Sequence, residues 1–330
     1  MIESIEFKNF KALRDTILPL GRFTLIVGPN GSGKSTALKA IDTVKNAQNF
    51  LYSQVVTAGV TAPNNEARIT LNFCQNSEKY TLSGLWRDAN SGTWEDGSNS
   101  TYEIQRWREK LHNVEIYSLD ENSIIEPLQL RENIQLERTG RNLAGVLDQL
   151  RDNFPERFEE LNSELARWLP EFDKVLFETT GGMRSFALRI KQGRHKIHAR
   201  DLSQGVVLAL TILTLAYLPD PPFIICLEEP DRGIHPRLLR DIQDALYRLA
   251  YPENYGEKRE PVQVIATTHS PYFLDLFRDH PEEVVLANKT EDGTKFERLS
   301  DQPNLDEILE DSHLGEVWYT GILGGVPAHA

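Results

Sequence analysis

Apolar and polar residues alternate over 2–10, IESIEFKNF, which predicts a half-buried strand. A turn containing Pro19, Gly21 and Arg22 leads to Phe23-Thr24-Leu25-Ile26-Val27, an uninterrupted apolar run expected as a buried strand. A helical stretch from Thr36 to about Ala47 follows a glycine-rich loop. Beyond a turn at 63–65, ARITLNF (67–73) and KYTLSGLW (79–86) read as an antiparallel hairpin. Residues 88–101 are rich in Gly, Ser, Asn and Asp and read as a surface loop, and VEIYSL (114–119) as a short strand.

From 124 to 169 the apolar spacing changes to three or four, so LAGVLDQLRDNF and ERFEELNSELARWL are expected as helices punctuated by Pro155 and Pro170. They are too short for a sustained coiled coil. DKVLFETT and 185–199 read as strands joined through Gly181-Gly182. Asp201 to Gly205 opens an apolar helix that ends at Pro219. FIICLEE (223–229) and VQVIATTHS (262–270) have the continuous apolar character of strands covered on both faces of a parallel sheet. An amphipathic helix is expected over 238–249, edge strands over 283–288 and 295–300, a short helix over 305–314, and a Gly-rich tail after it. The fold class is therefore α/β, a mixed sheet with an antiparallel β subdomain and a helical insertion. The expected organisation is an N-terminal lobe 1–123, a helical insertion 124–170 and a C-terminal lobe 171–330.

Composition narrows the partners. A net charge of −13 over 330 residues argues against a dedicated basic binder of duplex nucleic acid. Arg189, Lys191, Arg194, His195, Lys196, His198 and Arg200 do form a local basic run, open to two readings: a nucleic-acid or partner contact, or a solvated hairpin face. The two cysteines, Cys74 and Cys226, have no framework spacing, which suits a reducing compartment. The acidic N-terminus does not read as a secretion signal, and the longest apolar run, Val206–Leu218, is too short to span a bilayer. A soluble cytoplasmic protein without membrane contact is expected.

The candidate chemistry begins at Gly28-Pro29-Asn30-Gly31-Ser32-Gly33-Lys34-Ser35-Thr36. A glycine loop between a strand and a helix can turn successive N–H groups toward phosphate oxygens, aided by the helix N-terminus. Lys34 is placed to reach the β- and γ-phosphates of a nucleotide and Ser35 to hold Mg²⁺. A second signal is the acid pair ending the strand 223–229. Glu228 is assigned to the metal shell and Glu229 to activation of the attacking water. Ser203, Gln204 and Gly205 open a helix, where Ser203 is suited to cap it and the N-terminus could hold an anion. His269, at the tip of the strand 262–270, could contact a γ-phosphate or be structural.

The order of these four elements resembles the ABC-type ATPases, and within them the SMC/RecF/OLD-like group. IEFKNFKAL resembles the group's opening strand, GPNGSGKST its phosphate loop, LEEPDRGIHP (227–236) its acid-pair element, ATTHSP (266–271) its histidine switch and GEVWYTGILGGVP the end of stand-alone members. That resemblance implies a P-loop NTPase fold of the ABC/SMC-head type and an ATP-sandwich homodimer. ATP on the loop of one subunit is met in trans by Ser203, Gln204 and Gly205 of the other, with Asp231 between the two sites and His269 as the γ-phosphate switch. It also implies a separately encoded effector, such as a nuclease, in DNA maintenance or defence against phage. The chain departs from the pattern in its LSQG signature, in Glu228 where Asp is usual, and in lacking an evident Q-loop, since Gln75 ends a strand and Ser118–Asp120 has no Gln. Long coiled-coil arms are absent, and the stretch after His269 is short for a Toprim nuclease domain. Two other readings remain open at this point: the ATP-binding subunit of a membrane transporter, and a non-catalytic ATP-sensing module. Trp318 and Tyr319 could dock a partner or pack on the chain's own core.

Overall fold

The computed structural model describes residues 1–57, 66–75, 78–87, 91–97, 101–130, 135–193, 195–310 and 312–324. The turn expected at 63–65 and Arg194 lie outside the described residues, as does the end of the Gly-rich tail. Contacts divide the chain into two compact units. Unit 1 comprises Met1–Ile116, Phe223–Leu227 and Pro261–Ala330, and unit 2 comprises Tyr117–Pro222 and Glu228–Glu260.

Along the chain, β1 (Ile2–Phe10), β2 (Leu13–Pro19) and β3 (Phe23–Val27) lead to α1 (Lys34–Lys45) and α2 (Tyr52–Val55). Then come β4 (Glu66–Gln75), β5 (Glu78–Arg87), β6 (Thr93–Asp96), α3 (Thr101–His112), β7 (Val114–Tyr117) and α4 (Glu121–Ile124). Next are α5 (Leu143–Asn153), α6 (Pro155–Trp168), β8 (Phe172–Thr180), β9 (Met183–Ile190), β10 (Lys196–His198) and α7 (Gln204–Tyr217). β11 (Ile224–Glu228), α8 (Leu239–Ala250), β12 (Gln263–Thr268), α9 (Pro271–Asp275), β13 (Val284–Thr290), β14 (Gly293–Arg298), α10 (Leu305–Leu309) and α11 (Leu314–Tyr319) complete the described elements.

Unit 1 carries two kinds of sheet, and hydropathy separates them. In the antiparallel sheet β2-β1-β4-β5-β6, β1 alternates buried and exposed positions along part of its length, as an outer strand should. In the mixed sheet β14-β13-β3-β12-β11-β7, the central β3 and β12 are buried at every position. β3 runs parallel to both β12 and β13, which requires covered faces and explains the uninterrupted apolar runs. α1 supplies part of that cover through Ala37, Leu38, Ile41 and Val44, which join a core containing Phe7, Ile26 and Ile265. Gln263 ties the two sheets together. Its buried amide accepts from Ile2 N at 2.9 Å and donates to the carbonyls of Ile2 (2.7 Å) and Gly21 (2.8 Å), so each of its polar atoms is satisfied inside the core.

In unit 2 an antiparallel sheet, β10-β9-β8, packs against α6, and α6 and α8 pack on α7. α7 is buried from Val207 to Tyr217, which is why its sequence is apolar on all sides. Asn162 links α6 to β8 by accepting from Val175 N at 2.8 Å and donating to Phe158 O at 2.9 Å. No helix among the described residues is long and apolar enough to cross a membrane.

The hydrophobic pattern placed the central strands, the β4–β5 hairpin and helices α1, α5, α6, α7 and α8, but not α3 (Thr101–His112). It missed β2, where three consecutive polar residues, Arg14, Asp15 and Thr16, break the apolar pattern ahead of a proline. The stretch read as a loop over 88–101 contains β6, which adds to the edge of β5 and is anchored by Trp94 Nε1 donating to Val44 O at 2.7 Å. That anchor is a contact far along the chain, invisible to local composition. The single strand expected over 185–199 is two strands, β9 and β10, reversing through Gly193 at φ +87°. The short helix expected over 305–314 ends at Leu309, and α11 begins at Leu314.

Candidate functional site

β3 delivers the chain to Gly28 as a fully buried strand, and two glycines then make the loop possible. Gly31 and Gly33 have φ of +75° and +87°, the left-handed region that a Cβ disfavours. Gly28 is required for a different reason. A Cβ there would come 2.6 Å from Ala287 O on β13 and 2.8 Å from Ser32 Oγ. The loop closes with Ser32 N donating to Pro29 O (3.2 Å), and α1 starts at Lys34 with left-handed Gly33 as its cap and no side-chain capping bond. The N-terminal N–H groups of α1 have no intrahelical carbonyl to meet, so this end offers donors and the positive end of the helix dipole. Lys34 is buried, and its ammonium donates to the carbonyls of Gly28 (2.6 Å) and Pro29 (2.9 Å), which draws a cation over the loop. Asn30, Gly31 and Ser35 are exposed, while Pro29 and Thr36 are half-buried. Ser32 Oγ is buried without a hydrogen-bond partner among the described residues.

The sheet register brings His269 to this loop. β12 pairs in parallel with β3 so that Thr268 lies opposite Val27, which puts His269 level with Gly28 at the carboxyl ends of the strands. His269 is exposed there, and its neighbours are fixed: Thr268 Oγ1 accepts from Ser270 N at 2.9 Å, and Ser270 Oγ caps α9 by accepting from Phe273 N at 3.3 Å.

The other expected site residues fall in unit 2. Glu228 is the last residue of β11, and both Glu228 and Glu229 are half-buried. Glu229 takes φ +49°, a left-handed conformation held by a non-glycine residue. Such a residue costs on the order of 1–3 kcal/mol and persists only where its surroundings enforce it. The chain then turns through Arg232 N→Glu229 O (3.0 Å) and Ile234 N→Asp231 O (3.2 Å), with Asp231 buried. Ser203 and Gln204 are exposed at the start of α7. Ser203 stands at the cap position with extended backbone, but its side chain makes no capping bond, so its hydroxyl is not committed to the helix as expected. Gly205 lies against the turn after Glu229: a Cβ on it would meet Gly233 O at 2.7 Å, and the Gln204 side chain covers Gly233. The structure thus groups 28–36 with His269 in unit 1, and 203–205 with 228–233 in unit 2.

Sequence reasoning missed one feature beside this loop. Beside Gly31, within unit 1, is a cavity of about 470 Å³ lined by Lys11, Arg14, Thr57, Lys289 and Thr294, a size suited to a small ligand. Thr57 is buried, and its hydroxyl has no partner among the described residues. Lys11 and Asn9 have φ of +49° and +55°, and Lys11 N donates to Val55 O while Thr57 N donates to Asn9 O. Asn tolerates left-handed backbone, so Asn9-Phe10-Lys11 at the end of β1 was the available signal.

Other candidates resolve plainly. The basic run over 189–200 is paired in part: Arg189 forks onto Asp173 at 2.7 and 3.0 Å, and Lys196 and His198 both bond Glu178. That arrangement matches a solvated hairpin face. Trp318 is buried, whereas Tyr319 is exposed. The side chain of Gln75 lies outside the described residues. At the other Q-loop position, Asp120 caps α4 by accepting from Ser123 N at 3.0 Å, and the Ser123 hydroxyl holds its carboxyl below the usual carboxylate range.

Comparison with known proteins agrees with this geometry. Residues 1–175 match the family model described as "AAA ATPase domain", and residues 96–275 match one described as "AAA domain, putative AbiEii toxin, Type IV TA system". A protein named OLD nuclease from Thermus scotoductus is 24% identical over 376 aligned positions, covering 96% of this chain and 68% of that protein. The SMC head domain from Thermotoga maritima superposes with a TM-score of 0.54 at 19% identity, covering 90% of this chain and 98% of that one. The fold is that of a P-loop ATPase of the ABC/SMC-head type.

Proposed function

We propose that this chain, which belongs to the AAA ATPase domain families whose models it matches, binds ATP at Gly28–Thr36 and hydrolyses it with Glu229 as the base. One observation carries the reading: a buried parallel strand runs into a loop with left-handed Gly31 and Gly33, and a buried lysine is drawn over that loop at the start of a helix. This is the cradle that a triphosphate needs, backbone N–H donors at a helix start plus one cation. The nucleoside fits the cavity beside Gly31, where Lys11, Arg14 and the Thr57 hydroxyl supply polar contacts.

The residues suit magnesium. Ser35 and Glu228 are hard oxygen donors of the kind Mg²⁺ takes together with phosphate oxygens, and they would hold it. When bound, the ion neutralises charge on the β- and γ-phosphates. Glu229 accepts the proton of the attacking water, Lys34 and His269 contact the γ-phosphate, and the N–H groups of 31–36 fix the phosphate chain. Ser203, Gln204 and Gly205, exposed or half-buried on unit 2, meet the ATP held by a second copy, with Asp231 between the two sites. ATP therefore closes a homodimer and hydrolysis reopens it.

Such a cycle actuates a separately encoded effector. The nuclease named among the relatives and the toxin–antitoxin family description favour an effector that acts on nucleic acid, in DNA maintenance or defence against phage. Glu229→Gln tests the catalytic assignment. It should bind ATP within a few-fold of the wild-type affinity, while turnover falls about 10²–10⁴-fold, the range for loss of a general base. Wild-type turnover would remove Glu229 from the reaction.

A further inference from the structure

The turn that follows Glu229 is held from two sides within unit 2. On one side, Gly233 (φ +70°) lies under the Gln204 side chain, and its carbonyl sits where a Cβ on Gly205 would approach to 2.7 Å. On the other, the exposed Arg232 sends its guanidinium back to the chain, and Nη2 donates to Leu119 O at 2.6 Å across 113 residues of sequence. A hydrogen bond from a cation at this distance is among the stronger kinds.

The anchor is itself fixed. Ser118 N donates to Arg138 O (3.0 Å) and Asp120 N to Thr139 O (3.1 Å), so Leu119 lies between two backbone bonds to the segment entering α5. Asp120 caps α4, and its carboxylate and the Arg232 guanidinium attract each other. Arg232 therefore reaches a rigid shelf of backbone.

The shelf matters because of Glu229. Its left-handed backbone is unfavourable for a residue with a Cβ, and the local turn bond from Arg232 N to Glu229 O can be made by any residue type at 232 except proline. Something beyond the turn must hold the conformation. The Arg232–Leu119 bond, three residues from Glu229, is a tertiary contact able to do so.

We propose that Arg232 is a positioning residue for Glu229: by tethering the turn to Leu119 it keeps the Glu229 carboxylate in its working direction. It acts through Glu229 and touches neither nucleotide nor metal. The same bond makes the rate of hydrolysis sensitive to the segments 118–124 and 138–143, where the helical part of unit 2 begins, so a partner that shifts α4 or α5 would change turnover. The proposal rests on the reading of Glu229 as the base.

The test is a double-mutant cycle on the full chain, with Arg232→Ala, Glu229→Gln and the double variant assayed for ATP turnover. Arg232→Ala should lower kcat by about 10- to 100-fold, the scale of a misplaced catalytic group, while KM for ATP stays within about twofold. Arg232→Lys, which keeps a cationic donor, should recover most of kcat. In the Glu229→Gln background, Arg232→Ala should change the residual rate by less than about twofold, because a residue that acts only through a carboxylate has no effect once it is gone. Equal losses in the two backgrounds would overturn the tether while leaving Glu229 in place. So would wild-type kcat in Arg232→Ala. Loss of kcat together with a lower melting temperature, unrescued by Arg232→Lys, would reduce Arg232 to a structural clasp and also overturn the proposal. Wild-type turnover of Glu229→Gln is the separate outcome in which the catalytic reading itself fails. If Arg232→Ala does not fold, Arg232→Gln, a shorter neutral donor, replaces it in the cycle.

Discussion

Two loops leave buried strands of this molecule, and they hold their shapes by different means. The loop after β3 is built from its own residues. Gly31 and Gly33 enter left-handed backbone at little cost, Ser32 N closes the turn on Pro29 O, and Lys34 bonds the carbonyls of Gly28 and Pro29. The loop after β11 places Glu229 in the same region of backbone space without a glycine, and contacts from distant segments, Leu119 through Arg232 and Gln204 over Gly233, reach the turn that follows it. A self-contained loop resists change elsewhere in the fold. A loop held from outside can be controlled from outside, which suits the catalytic role proposed for Glu229.

The largest effect that sharpens this contrast is expected at Lys34. Lys34→Ala removes the cation from the self-contained loop. With charge-assisted bonds worth about 1.5–3 kcal/mol each, ATP affinity should fall by at least about tenfold in equilibrium binding, with the fold intact. Unchanged affinity would remove the loop from nucleotide binding.

The glycines separate packing from backbone strain within one loop. Gly28→Ala drives a Cβ to 2.6 Å from the Ala287 carbonyl, a contact with backbone that has nowhere to go, so denaturant unfolding should show a loss of about 1–3 kcal/mol. A Cβ on Gly31 would find nothing within 4 Å, so Gly31→Ala should lose only the left-handed penalty, about 1–2 kcal/mol. A larger loss at Gly31 than at Gly28 would contradict the account of how this loop is built.

The smallest effect concerns acid. The Lys196 ammonium, and then His198, hold Glu178 below its ordinary value of 4.5. A lowered carboxylate contributes stability that is complete above that ordinary value and is lost as pH falls through the depressed one. Hydrogen exchange in β8–β10 should therefore quicken as pH drops below about 4.5, once corrected for the intrinsic pH dependence of exchange, and Glu178→Gln should reduce that dependence, leaving the share of Asp173, which Arg189 holds low on the same sheet. Exchange over 28–36 should not follow it.

How much was legible in the sequence tracks the same distinction. The glycine loop was readable because most of its requirements are local: the strand, the φ of Gly31 and Gly33, the lysine at the helix start; that of Gly28, set by Ala287 O on β13, is not. β3 and β12 were readable because a parallel strand covered on both faces leaves an unbroken apolar run, and β11 carries the same kind of run. β6 was hidden because its anchor is Trp94 on Val44 O, and the cavity beside Gly31 was hidden because Lys11, Thr57 and Lys289 meet only in the folded chain. Glu229 was assigned by type and position, but its left-handed backbone and the Arg232 tether have no local signature. Ser203 was expected to cap α7, and its side chain does not.

The most direct test of the account is a native mass spectrum of Glu229→Gln in Mg-ATP. The account predicts two chains carrying two intact ATP molecules, because the cradle and the in-trans contacts are kept while the base is gone. A single chain without nucleotide, or a complex that contains ADP in place of ATP, would contradict it.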